Sequence, residues 1–115
     1  TMAEARRIID MTDRPNFRAM IDVFHLNIEE RDIYQAIRDY ADINVHVHLC
    51  DNNRRYPGNC GLDFEKIIQT FHDVGYDDLY STEVFQFPSM EECAKRSIAY
   101  LAPIFQRVYG REPRV

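Results

Sequence analysis

The stretch INVHVHLCDNNRRYPGNCGLDFEKIIQTFHDVG, residues 43–75, decides the fold. Its first seven residues alternate with the period of a strand, placing Val45, Val47 and Leu49 on one face and His46 and His48 on the other. The run DNNRRYPGNCG that follows is dense in turn residues and long for a tight connection, which marks a loop of the kind that carries function. From Leu62 onward, Phe64, Ile67, Ile68, Phe71 and His72 recur at helical spacing, and Gly75 is placed to end the helix. One strand, one long polar loop and one helix make a βα unit.

The same unit repeats on both sides. Upstream, FRAMIDVF at residues 17–24 is a nearly continuous apolar run, as a strand buried on both faces reads, with Ile21 and Val23 opposite Met20 and Asp22. Ile33, Ala36, Ile37, Tyr40 and Ala41 then predict an amphipathic helix over residues 29–41. Downstream, LYSTEVF at residues 79–85 predicts a third strand. A final helix from about Ser89 has Cys93, Ala94, Ser97, Ile98 and Leu101 inward, and Pro103 is expected to kink or restart it. Residues 2–11 form a leading helix that Pro15 stops. Repeated βα units imply a parallel sheet with right-handed crossovers. An edge of a doubly wound sheet and an arc of a barrel both satisfy that pattern.

Composition narrows the partners. The chain of 115 residues is 45% hydrophobic and 12% aromatic, enough for a real core, and no internal repeat or linker divides it, so residues 1–115 read as one piece. A net charge of -5 supplies no basic field for phosphate backbones, so no nucleic-acid partner is expected. No apolar run approaches membrane-spanning length and the first residues hold no apolar signal core, so no membrane partner and a cytoplasmic location are expected. The three cysteines, Cys50, Cys60 and Cys93, form no C-x-x-C pair and read as free thiols, with Cys93 in a helix core.

Each strand carries one ionisable side chain near its C-terminal end: Asp22, His48 and Glu83. Sites of parallel α/β folds are built at that edge, and a buried carboxylate is costly without a partner. Two carboxylates and an imidazole make a mixed oxygen and nitrogen site that suits Mn²⁺, Mg²⁺, Co²⁺ or Fe²⁺, rather than a thiolate-rich zinc site. Plainer readings stand beside this one. Asp22 serves equally as a strand-end residue accepting backbone N–H bonds, and His48 as a satisfied core histidine. Glu83 is harder to assign to structure, because Glu is a poor strand former. His46 lies deeper in the sheet as a packing group, His25 follows the first strand as a loop residue or substrate contact, and Arg54 and Arg55 sit in the long loop as solvated charges or ligands.

At these residues the chain resembles the ketose 3-epimerase group of the xylose isomerase-like barrel family. MIDVFHLNIEE is similar to the family's sixth strand, HVHLCDNNRRYPGNCG to its seventh strand and loop, and GYDDLYSTEVF to its last turn and eighth strand. The spacing His-x-His-x₅-Arg-x₂-Pro-Gly is the most specific element. The resemblance implies that Asp22, His48 and Glu83 ligate a divalent metal, Mn²⁺ foremost with Mg²⁺ or Co²⁺ as alternatives. It implies that Glu83 also moves a proton, that His25 contacts a sugar substrate, and that Arg54 binds the oxygen near C1.

The fold so implied is α/β: three C-terminal βα units of a (β/α)₈ barrel, preceded by a helix. A complete barrel takes about 250 residues, so a partial barrel is expected, with the family's other catalytic Glu lying before residue 1. The implied reaction is metal-dependent isomerisation or epimerisation, by proton transfer next to a ketose carbonyl through an enediolate. The chain by itself is expected to be inactive and to form a homo-oligomer. Three rivals are a non-catalytic module that self-associates, an endonuclease-type barrel and a hydroxypyruvate isomerase-type barrel.

Overall fold

A computed structural model of the chain describes residues 1–111. Helix α1 spans Met2–Thr12, strand β1 Ala19–Asp22, helix α2 Val23–Glu29 and helix α3 Ile33–Asp39. After one turn of 3₁₀ helix at Ala41–Ile43 come strand β2 at Asn44–Leu49, helix α4 at Phe64–Asp73, strand β3 at Tyr80–Thr82 and helix α5 at Met90–Tyr109. The strands form one open parallel sheet in the order β1-β2-β3. This is the α/β arrangement expected from the repeated units.

The core lies between the sheet and its helices. Ile21 of β1 and Val47 and Leu49 of β2 meet Ile37, Phe64, Ile67, Ile68 and Phe71, all essentially buried. Full burial of such side chains stabilises by about 1.5–3 kcal/mol each, before chain entropy is counted. Helix α4 closes as its glycine demands: Gly75 has φ +81°, its N–H bonds the His72 carbonyl, and the Tyr76 N–H reaches back to Phe71, a Schellman ending.

The structure revises several boundaries. The first strand stops at Asp22 rather than at residue 24, because the Asp22 side chain accepts the Phe24 N–H at 2.9 Å and starts α2, a helix the apolar run concealed. The helix expected over 29–41 begins only at Ile33, where Asp32 caps it by accepting from the N–H groups of Tyr34 and Gln35. The third strand has three residues rather than seven, since its partner β2 ends at Leu49 opposite Thr82 and offers nothing further to pair. Val45 does not share the burial of Val47 and Leu49. It is 53% exposed, because β3 pairs with β2 only from Val47 onward.

In α5 the inner face is Cys93, Ser97, Leu101, Ile104 and Phe105, whereas Ala94 and Ile98 are exposed. The helix passes Pro103 without restarting. That proline and Ala99, whose carbonyl loses its N–H partner, both lie on the solvent side.

Candidate functional site

Sheet register assembles the site. Asp22, the last residue of β1, lies directly opposite His48 in β2, and His48 lies opposite Ser81, two residues before Glu83. The result is a cluster in which one ligand atom from each of Asp22, His48 and Glu83 lies within 4.8 Å of the others. His48 Nδ1 stands 3.4 Å from Glu83 Oε2 and 3.8 Å from Asp22 Oδ2. Asp22 is buried, while Glu83, the first residue past β3, keeps half its side chain in solvent.

Asp22 does two jobs at once. Its Oδ1 caps α2 and receives a long contact from the Cys50 thiol at 3.7 Å, and its Oδ2 faces His48 and Arg54. The strand-end reading of Asp22 and the convergent-site reading therefore hold together, one on each oxygen. His46 pairs with Ser81 Oγ at 2.7 Å and meets the His48 ring edge-on at 5.2 Å, so it steadies the imidazole from below.

The long loop delivers Arg54 to the same point. Its Nη2 lies 3.4 Å from Asp22 Oδ2 and also bonds Glu83, its Nη1 lies 3.1 Å from His25 Nε2, and the guanidinium sits 4.8 Å over the Phe24 ring. Arg55 turns away from this cluster and lies 4.3 Å over Phe87. The neighbouring Asp22 carboxyl through hydrogen bonding, then the Arg54 charge and His48, hold Glu83 below the ordinary carboxylate range, against the opposing effect of desolvation. Burial, reinforced by the Asp22 charge, pushes the Cys50 thiol up to about 12, which removes it as a nucleophile at neutral pH.

The donor set of two carboxylates and one imidazole, with no thiolate among them, is the chemistry of an oxygen-preferring divalent cation. The carboxylates are already placed to receive positive charge, as the Arg54 guanidinium between them demonstrates. The residues therefore fit such an ion.

One organising residue escaped the sequence reading. Asp51 is wholly buried in the otherwise polar loop and accepts bonds from four backbone N–H groups. Its sequence signal is faint: an acidic residue two positions past a strand, opening a loop with two glycines.

Comparison with known proteins agrees with this architecture. The family model of the xylose isomerase-like TIM barrel matches residues 1–104. The chain is similar to 3-dehydro-D-guloside 4-epimerase of Escherichia coli (strain K12), at 38% identity over 66% of this chain and 29% of that protein. It is also similar to the ketose 3-epimerase of Arthrobacter globiformis, at 32% identity over 96% of this chain and 34% of that protein. A solved L-ribulose 3-epimerase superposes with a TM-score of 0.84 at 26% identity, covering 96% of this chain and 43% of that one. The chain thus spans about a third of the length of the curated relatives it matches. With the parallel βα order, the convergent strand ends and a model match over most of its length, the chain belongs to the xylose isomerase-like TIM barrel family.

Proposed function

We propose that this chain supplies the C-terminal wall of a metal-dependent sugar epimerase, one that moves a proton on a carbon next to a ketose carbonyl. The observation that carries the reading is the convergence of Asp22, His48 and Glu83 with Arg54 and His25 at one edge of a parallel sheet. The relatives' names, which are those of 3- and 4-epimerases, support it.

Asp22, His48 and Glu83 would hold the divalent ion, with Mn²⁺ the first candidate and Mg²⁺ or Co²⁺ as alternatives. When bound, such an ion stabilises the negative charge that develops on a carbonyl oxygen during enolisation. The chain's own groups do the rest. Glu83 is half-exposed toward the open side of the cluster and held ionised by its neighbours, so it suits abstraction or return of the proton at the reacting carbon. Arg54, donating through both Nη atoms, and His25, at its Nη1, orient the hydroxyl and carbonyl oxygens of a small polyol. Epimerisation needs a proton carrier on each face of the carbon, and Glu83 is the one that this cluster offers. The 115-residue chain alone is therefore expected to be inactive.

The test is hydrogen exchange. D-fructose, D-tagatose and related ketoses are incubated in D₂O with Mn²⁺ and the intact protein that carries this chain, and deuterium uptake is followed by NMR. Uptake at C3 is expected, abolished by Glu83→Gln and lowered by on the order of 10²-fold or more by His48→Ala. Uptake at C1 alone would assign an aldose–ketose isomerase instead. No exchange with any ketose by the Mn²⁺-loaded protein would overturn the proposal.

A further inference from the structure

We propose that Asp51 is a positioning residue for Arg54, fixing through the loop backbone where that guanidinium stands against Asp22 and Glu83. For its consequence on turnover the inference rests on the epimerase reading above. For its structural part it does not.

The loop after β2 is mostly exposed, yet Asp51 is fully buried within it. Burying a carboxylate is expensive unless its oxygens are hydrogen-bonded. Here they are. Oδ1 accepts from the N–H groups of Asn52 at 2.9 Å and Leu62 at 3.1 Å, and Oδ2 from those of Gly58 at 3.1 Å and Cys60 at 2.8 Å. The four donors run from the start of the loop to the entry of α4, so one side chain gathers the whole connection into a ring. Among the described residues these oxygens bond only backbone N–H groups, which separates Asp51 from the residues that face the cluster.

The main chain of Asp51 completes the device. Its carbonyl accepts the Arg54 N–H at 2.8 Å and its own N–H bonds the Arg55 carbonyl at 2.9 Å, closing a tight turn on Arg54. Within that turn Arg54 has φ +57°, a left-handed conformation that an arginine adopts at a cost of about 1–2 kcal/mol. Such a conformation persists only where its surroundings over-determine it. Asp51 from one side, and the Phe85 N–H donating to the Arg54 carbonyl at 2.8 Å from the other, supply that constraint. The left-handed turn aims the Arg54 side chain back over the strand ends, where it meets His25, Asp22 and Glu83. Released from the turn, a long flexible side chain would have to lose its rotamer freedom anew at each binding event.

Asp51→Asn replaces an acceptor oxygen by an NH₂ group facing backbone donors, and so breaks one half of the ring. Two measurements test the consequence in the intact protein. Limited trypsin digestion reads the loop directly: cleavage after Arg54 and Arg55 is expected to become about tenfold faster in Asp51→Asn at unchanged circular dichroism. Unchanged cleavage overturns the proposal. The second is a double-mutant cycle on kcat/KM with Arg54→Ala. Asp51→Asn is expected to lower kcat/KM by on the order of 10²-fold, with the double variant no worse than Arg54→Ala alone. Effects that multiply independently overturn it. Should Asp51→Asn fail to fold, Asp51→Glu, which keeps the charge but shifts both oxygens, is taken through the same two measurements. If the wild-type protein exchanges hydrogen with no ketose, the epimerase reading falls and the trypsin result alone decides the role of Asp51.

Discussion

Asp22 carries two duties on two oxygens, and substitution separates them. Asn retains the cap on α2 but loses the carboxylate that faces His48, whereas Ala loses both. Asp22→Asn is therefore expected to unfold in urea close to wild type, and Asp22→Ala to lose about 1 kcal/mol more. Both variants are expected to bind Mn²⁺ at least tenfold more weakly by calorimetric titration. Asp22 was legible in the sequence because it interrupts an apolar run, and His48 and Glu83 because they fall at matching ends of successive units. Asp51 was not legible, since a polar residue in a polar loop breaks no pattern. Its burial is decided by loop closure, which brings Leu62 back to it across eleven positions.

At the scale of elements, the loop and α5 interlock at Gly58. It has φ +84°, and a Cβ there would lie 2.4 Å from Tyr100 Cδ2. Gly58→Ala is expected to cost about 1–3 kcal/mol in urea denaturation, with Tyr100→Ala recovering the steric part but not the backbone part. Helices α4 and α5 are joined on the outside by Arg107, whose Nε and Nη2 donate to the two Glu65 oxygens at 2.9 and 2.8 Å. That hydrogen bonding holds Glu65 below its ordinary value of 4.5. Its folded pKa is thus lower than its unfolded one, so the stability it contributes is complete above the unfolded value and is lost as pH falls through the folded one. Both groups are exposed, which keeps the effect small. Arg107→Gln is expected to flatten the acid limb of a plot of urea midpoint against pH.

The existence and order of the strands and long helices were legible from periodicity. Helix α2 was not, because Val23–Glu29 reads as an extension of the strand until the Asp22 carboxylate turns the backbone. The short β3 was overread because alternation in LYSTEVF reports what the segment tolerates, while strand length is set by the partner available.

At the scale of the molecule, β3 has an open edge among the described residues, and beside it Leu49, Tyr80, Ile98, Leu101 and Phe105 line an apolar groove of about 570 Å³. Phe85 and Phe87 are also more than half exposed at the strand-end rim. Unpaired edges and uncovered apolar surface favour association. Light scattering on the 115-residue chain at micromolar concentration is expected to report a dimer or larger species, weakened by Ile98→Lys. A clean monomer would show that the groove is tolerated in water.

The three thiols differ in a way that serves experiment. Cys50 and Cys93 are buried, and Cys60 is exposed on the loop that Asp51 gathers. A maleimide dye would therefore attach at Cys60 without disarming the other two. Cys60 is exposed while its own amide is tied to the Asp51 carboxylate, six residues from the arginine that meets Asp22. The chain thus carries a native attachment point for a fluorophore, one whose emission would report on the loop, with no engineered cysteine required.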